Sequence, residues 1–428
     1  MSALHVHING MSRDSGAVAG TPTTNRRTIA IVAIALGAIV LLVALVIVAT
    51  TGGPTSPSDE PGAGARQMYV SPTGSDGGDG SQAAPLRTIQ AALDDAEAGT
   101  VINLAPGEYR EQPTTQRDGD PGAPIVIRGP ENGKDPSGRH QAVLYGTGRI
   151  FNIDHSYYTL EGFTIDGQEG LAADQLPTDL AAVDAFKSGA QTQIKDSKLI
   201  YIGSADTAQD ITGITIRNMF LTEAGTECVR LRNNATGNTI ADSVIQYCGL
   251  FGKKSDDDDD GGRFEFHNGE GVYIGTSPKS DNQPMAENDT SSGNQVTGNT
   301  IRTFGSECFN VKENAHDNVF ENNECSGNTE PREFNGSNVE LRGHGNVVRG
   351  NVIADSAGWN VKIQSDDEDD YDNGGNIVEN NTLSGAAAEA VRIGSAAPQG
   401  PFCGNRVTVA AATPVDGPSP GDITAPCP

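Results

Sequence analysis

Aromatic residues make up only 5% of this 428-residue chain, with a single Trp. So few large rings suit a thin core of stacked aliphatics better than one filled by bulky side chains. Cysteine is missing before residue 228, and no Cys-x-x-Cys occurs, which argues against a zinc ribbon or finger. Cations are scarce: 29 Lys and Arg face 56 Asp and Glu, a net charge of −27. That balance excludes a nucleic-acid binder, whose partner's phosphates need a basic surface, and argues equally against docking on anionic lipid. It leaves open a surface that holds cations or one adapted to a salty habitat. Neither a phosphate-loop signature nor a Ser–His–Asp order is present.

What the chain does have is a repeat. Its units are Gly225-Thr-Glu-Cys-Val-Arg-Leu-Arg, Gly269-Glu-Gly-Val-Tyr-Ile-Gly, Gly305-Ser-Glu-Cys-Phe-Asn-Val-Lys, Gly336-Ser-Asn-Val-Glu-Leu-Arg, Gly358-Trp-Asn-Val-Lys-Ile-Gln and Ala388-Glu-Ala-Val-Arg-Ile-Gly. Each carries an apolar pair one residue apart: Val229/Leu231, Val272/Ile274, Phe309/Val311, Val339/Leu341, Val361/Ile363 and Val391/Ile393. A period of two sends these inward and the residues between them outward. A second strand follows, opened by Asn238, Asn294, Asn318, Asn346, Asn376 and Asn405, with a further polar column at Ser243, Asn299, Asn323, Asn351 and Asn381. From 294 the leading Asn residues are spaced by 24, 28, 30 and 29, whereas the first interval is 56, room for an inserted loop or an extra coil. Short β-branched runs punctuated by Gly and Asn exclude helices. Units that cannot bury their own apolar faces must stack. The fold class is therefore all-β, a parallel β-solenoid whose Asn columns bond from coil to coil.

Residues 28–49 form one almost wholly aliphatic run behind Arg26 and Arg27, and no Lys or Arg follows until Arg66. About 20 apolar residues cross a bilayer core, and the charge asymmetry keeps the N-terminus inside. The expectation is a cytoplasmic disordered tail (1–27), a transmembrane anchor (28–49), a flexible linker (50–66), the solenoid (67–412) outside the cell membrane and a C-terminal tail (413–428). A cleaved signal peptide and a twin-arginine export signal are the rival readings. Six cysteines allow fifteen pairings. Repeat symmetry favours Cys228–Cys248 and Cys308–Cys325, each beginning at a Glu-Cys, which leaves Cys403–Cys427.

Ahead of the repeats, Tyr69-Val70 is a short strand. Pro85 sits near a helix start, Leu86, Ile89 and Leu93 mark its apolar face, and Gly99 stops it. Such a helix would cap the open end of the solenoid. Coil strands follow from Val101, while residues 168–200 break the pattern as a lateral excursion.

Tyr69-Val-Ser-Pro-Thr-Gly-Ser-Asp, Pro85-Leu-Arg-Thr-Ile-Gln-Ala-Ala, Pro106-Gly-Glu-Tyr and Gly269-Glu-Gly-Val-Tyr-Ile-Gly together resemble bacterial exported right-handed parallel β-helix proteins of the pectate-lyase superfamily, over about residues 68–410. The resemblance implies a polysaccharide as partner and outward residues of one solenoid face as the site. β-Helix lyases of this kind use Lys or Arg as base, and the branch resembling family-nine pectate lyases adds Asp-bound calcium. Fold does not fix activity, however.

Uronate elimination needs a base, a cation to neutralise the carboxylate, and help for the leaving oxygen. One outward column reads Arg230, Tyr273, Asn310, Glu340, Lys362, Arg392; the next reads Arg232, Gly275, Lys312, Arg342, Gln364, Gly394. Lys312 and Lys362 are the candidate bases, Lys362 resembling the Lys-bearing strand of family-nine lyases. Arg230, Arg232, Tyr273, Glu340, Arg342 and Arg392 are candidate substrate contacts. The bland alternative makes both lysines solvated surface groups. The family's calcium run is missing; its nearest echoes are Asp256, Asp257, Asp258, Asp259 and Asp260, and the Asp366, Asp367 segment, which could bind calcium through hard oxygens or be solvated loops. Gly343-His344-Gly345 matches one polygalacturonase motif without its partners and reads as a turn. A monomeric lyase-like enzyme, a hydrolase using carboxylates such as Glu340, and a non-catalytic glycan binder all remain open.

Overall fold

The computed structural model describes residues 64–428 except 132, 191–192, 206, 251–252, 255–263, 266–268, 279–287, 366–370 and 372. The tail and anchor segments therefore lie outside the described residues, and no described helix is long and apolar enough to cross a membrane.

From Ile125 onward each coil lays one strand into each of three parallel sheets. The first sheet has eleven described strands, from Gln67–Val70 to Phe402–Cys403; the second has ten, from Gly107–Arg110 to Arg406–Thr408; the third has nine, from Gly148–Ile153 to Val415–Asp416. A two-stranded antiparallel ribbon, Lys253–Lys254 with Phe264–Glu265, stands apart. The alternating apolar pairs face inward as period two requires: Val229, Leu231, Val272, Ile274, Phe309, Val311, Val339, Leu341, Val361 and Ile363 are fully buried. Phe309 stacks on Phe320 across the interior at 4.9 Å between ring centres.

The helix at the open end covers Ile89–Asp95 and buries Ile89, Ala92 and Leu93. It starts later than Pro85, because Leu86 is a bridge partner of Val70 and Thr88 is the N-cap, its side chain accepting from the Ala91 N–H. The Glu111 carboxylate accepts from the Ile89 and Gln90 N–H groups at 2.8 and 2.9 Å, satisfying two more free donors of the first turn. The lateral excursion contains a helix, Val183–Ala190, and ends sooner than residue 200: Ser197–Ile202 is a strand of the third sheet, between Gly148–Ile153 and Val229–Leu231. At the other end, the strand Val415–Asp416 lies within residues read as tail.

The Asn columns form two ladders. Asn294 Oδ1 accepts from both the N–H and the Nδ2 of Asn238, and Asn318, Asn346 and Asn376 repeat this at 2.9–3.2 Å. The second ladder runs Asn299, Asn323, Asn351, Asn381. Asn405 belongs to this second ladder, accepting from Asn381 at 3.0 and 3.1 Å, while Gln399 takes the next place in the first. The final turn is shorter, so counting residues from Asn376 assigned Asn405 to the wrong column. The 56-residue interval holds an insertion and no extra coil, since Thr239 pairs directly with Gln295.

All three disulfides form as the repeat symmetry expects: Cys228–Cys248, Cys308–Cys325 and Cys403–Cys427. Gly343-His344-Gly345 is a turn, with Gly345 at φ +65° and His344 stacked on His316 of the preceding coil at 4.8 Å.

Candidate functional site

Strand register puts Tyr201, Arg230, Tyr273, Asn310, Glu340, Lys362 and Arg392 side by side on the outer face of the third sheet, one from each successive coil. Arg232, Lys312 and Arg342 form the neighbouring column two residues further along their strands. Facing outward does not make these groups solvated. Lys312 is 5% exposed, Lys362 3%, Glu340 1% and Tyr273 3%. The reading of both lysines as solvated surface groups fails. Arg392, at the edge of the strip, is half-buried and pairs with Asp416 at 2.9 Å.

A third column was not singled out in the sequence. Glu227, Glu270 and Glu307 occupy successive coils, two residues before the first inward residue of each strand, and all three are buried. Their signal was present as the Glu of Gly-Thr-Glu-Cys, Gly-Glu-Gly and Gly-Ser-Glu-Cys.

These columns interlock. Glu340 meets Lys362 Nζ at 2.5 Å, Arg342 Nε at 3.0 Å and Asn310 Nδ2 at 2.9 Å. Lys362 also donates to the Asn335 carbonyl at 2.7 Å. Arg342 reaches Glu313 at 3.5 Å. The Tyr273 ring lies between the Arg230 guanidinium, 4.3 Å from its centre, and Lys312 Nζ, 4.4 Å from it, contacts that stabilise a desolvated cation. Arg232 donates to Thr276 Oγ1 at 2.9 Å and to the Tyr201 hydroxyl at 3.1 Å. Glu227 contacts Arg230 and lies 3.3 Å from Lys198. Glu307 accepts from Ser306 Oγ and from Asn310 Nδ2 at 3.2 Å. Glu270 Oε2 is buried with no hydrogen-bond partner.

This environment sorts the charges. Burial pushes Glu340 up, but Arg342, Lys362 and Lys312 outweigh it and hold the carboxyl far below its ordinary range. Glu227 is likewise held down, its burial overcome by Arg230 and Lys198. Burial pushes Glu270 up to about 8; Lys312 pulls it back only in part, and Glu307 and Glu227 add to the rise. Glu330, half-buried and desolvated, with Glu307 and Glu340 adding to the effect, also rises to about 8. Burial and Arg342 draw Lys312 down, yet Tyr273, Glu340 and Glu270 raise it on balance. At neutral pH the strip thus holds ionised Glu227 and Glu340, neutral Glu270 and Glu330, and a cationic Lys312. Cations gathered around a carboxylate can bind an anionic sugar, and a neutral carboxylic acid can give a proton.

The candidate calcium ligands Asp256, Asp257, Asp258, Asp259, Asp260, Asp366 and Asp367 lie outside the described residues. Among the described residues, one group of three could bring ligand atoms close enough for an ion, Glu379 with Cys403 and Cys427. Its two cysteines are joined in a disulfide and have no thiolate to offer.

A family model described as a protein of unknown function (DUF1565) matches residues 72–128. An uncharacterised protein of Bacillus subtilis, YwoF, is 29% identical over 199 residues, 42% of this chain and 41% of that protein. The pectate lyase PEL9 of Emericella nidulans is 44% identical over 66 residues, 15% of this chain and 16% of that enzyme. The chain thus spans well under half the length of either relative. The crystal structure of an alginate lyase from Paenibacillus sp. str. FPU-7 superposes with a TM-score of 0.56 at 18% identity, over 82% of this chain and 97% of that one. Three parallel sheets, one strand per coil in each, together with these likenesses identify the chain as a right-handed parallel β-helix with the fold of the pectate-lyase superfamily.

Proposed function

We propose that this protein is an exported enzyme that acts on an acidic polysaccharide by β-elimination along the outer face of the third sheet. The observation that carries this reading is the gathering of Arg342 and Lys362 on one buried carboxylate, Glu340, with Lys312 adding its charge, in a chain of net charge −27. Cations so concentrated suit a uronate, whose carboxylate must be neutralised before its C5 proton becomes acidic. Lys312 is the better candidate for base, since Lys362 is engaged by both Glu340 and the Asn335 carbonyl. Arg230, Arg232 and Tyr273 extend the strip toward one end and Arg392 toward the other. Because Lys312 is raised, elimination should accelerate as pH rises through neutrality.

Location belongs to the same proposal. Residues 28–49 anchor the chain in the cell membrane, with the monomeric β-helix outside, where its three disulfides persist. Calcium is proposed for the Asp256–Asp260 and Asp366–Asp367 segments on their density of hard oxygen ligands alone. Bound there, it would supply further positive charge for uronate carboxylates. A chelator that leaves activity unchanged would remove it from the proposal.

The test is incubation of the ectodomain with polygalacturonate and alginate, following the absorbance of the new C4–C5 double bond. No signal with or without added calcium would end the elimination reading. Hydrolysis is the second reading, favoured by Glu227 and Glu270, whose neighbouring carboxyl groups are held in opposite protonation states. It would yield new reducing ends without a double bond. Binding of the polymers with neither product would mark a non-catalytic glycan binder.

A further inference from the structure

We propose that Glu270 is the acid that protonates the departing glycosidic oxygen, an inference that rests on the polysaccharide reading of the strip. Three carboxyl groups stand in one buried column, and the outer two are committed: Glu227 to Arg230 and Lys198, Glu307 to Ser306 and Asn310. The middle one, Glu270, keeps a buried Oε2 with no hydrogen-bond partner. A carboxylate between two others, out of water and unpartnered, cannot stay ionised cheaply. It holds its proton instead. The charged and titratable groups around it are Glu227 and Arg230 on the preceding coil, Tyr273 on its own strand, Glu307 and Lys312 on the next, and Glu330 beyond. The direction of its titration agrees, up to about 8.

Glu270 lies three residues before Tyr273, whose ring centre is 4.4 Å from Nζ of the proposed base, Lys312. In the elimination, Lys312 in its neutral form takes the C5 proton and the C–H electron pair becomes the C4–C5 double bond. The C4–O bond breaks with its pair on oxygen. The Glu270 carboxyl protonates that oxygen, releasing an alcohol. Lys312 is left an ammonium and Glu270 a carboxylate, an ion pair that the site's own attraction between the two stabilises. Loss of the ammonium proton to solvent and gain of one by the carboxylate restore the starting state.

Two measurements on the full-length protein test this. Infrared difference spectra of wild type against Glu270→Gln should show a protonated-carboxyl band at pH 7 that belongs to Glu270 and fades as pH rises through about 8. Glutamine copies the neutral acid's shape, so a thermal midpoint equal to wild type below pH 4.5, where both side chains are neutral in folded and unfolded states alike, should confirm the variant's fold. Turnover of polygalacturonate or alginate should then fall by about 100-fold or more in Glu270→Gln. A uronide with a nitrophenoxy group at C4, which departs without a proton, should be cleaved nearly as fast as by wild type. Absence of the band, or equal loss on both substrates, overturns the donor role. A wild type inert on every polymer but showing the band removes the polysaccharide reading, and the donor role with it, leaving a buried neutral acid.

Discussion

The asparagine ladders and the charged strip are both polar, buried and stacked coil upon coil, yet they are built on opposite plans. In the ladders one residue type repeats, and behind the first rung each Asn accepts twice from the coil before and donates onward, as Asn323 does between Asn299 and Asn351. In the strip the residue changes at every coil, from Arg230 to Tyr273 to Asn310 to Glu340 to Lys362. Repetition satisfies every polar group by the same bond. Variation leaves a remainder, such as the partnerless Glu270 Oε2 and Asn310 Oδ1. Buried polar atoms without partners are costly. Their concentration on one face distinguishes a surface shaped for something else from one that only holds coils together.

The largest expected effect tests the strip. Glu340→Ala strands Arg342, Lys362 and Lys312 around an empty place and should lower unfolding free energy by about 4 kcal/mol, read from the urea midpoint. A loss below about 1 kcal/mol would mean that the network is wet and the contrast with the ladders false. Asn323→Ala should cost about 3 kcal/mol through several lost bonds and orphaned partners. Asn351→Ala should match it closely, because its surroundings are a copy; unequal values would break the uniformity claimed for the ladder. Removing the Cys308–Cys325 staple by a double Ser substitution should cost about 2 kcal/mol, seen as a lower midpoint in non-reducing buffer.

Acid–base behaviour separates the two regions without any change in contacts. Glu270 is raised in the folded state from an ordinary 4.5 to about 8. The stability it contributes is therefore complete below 4.5 and lost as pH rises through about 8. Glu340 is lowered, so its contribution is present above 4.5 and lost as pH falls toward its folded value. Midpoints measured across pH should decline between 4.5 and 8 in wild type and decline less in Glu270→Gln, whereas Asn323→Ala should keep the wild-type slope. Smallest of all, His344→Ala removes one half-exposed stacked ring and should shift stability by about 0.5 kcal/mol or less; a larger loss would make the turn column a third structural ladder.

The contrast also explains what could be read from the chain. Inward pairs such as Val272/Ile274 and the Asn columns were legible because a stacked coil imposes the same demand at the same place each time. The outward columns were legible as columns for the same reason, since register follows from the inward pair. Their burial was not, because covering a face depends on residues far away in sequence. Glu227, Glu270 and Glu307 are not legible as a column, since they precede the alternating strand, where period two no longer says which way a side chain points. Leu86 misled because an apolar residue three before Ile89 fits a helix face as well as a strand bridge to Val70.

The long interval between Asn238 and Asn294 has a consequence for change. These two residues bond as closely across 56 residues as Asn294 and Asn318 do across 24. The scaffold therefore keeps no count of what lies between its rungs. Segments entering or leaving the third sheet can be lengthened, shortened or exchanged for foreign ones without moving a single strand, so the loops beside the charged strip can be remodelled while the frame beneath them is inherited unaltered.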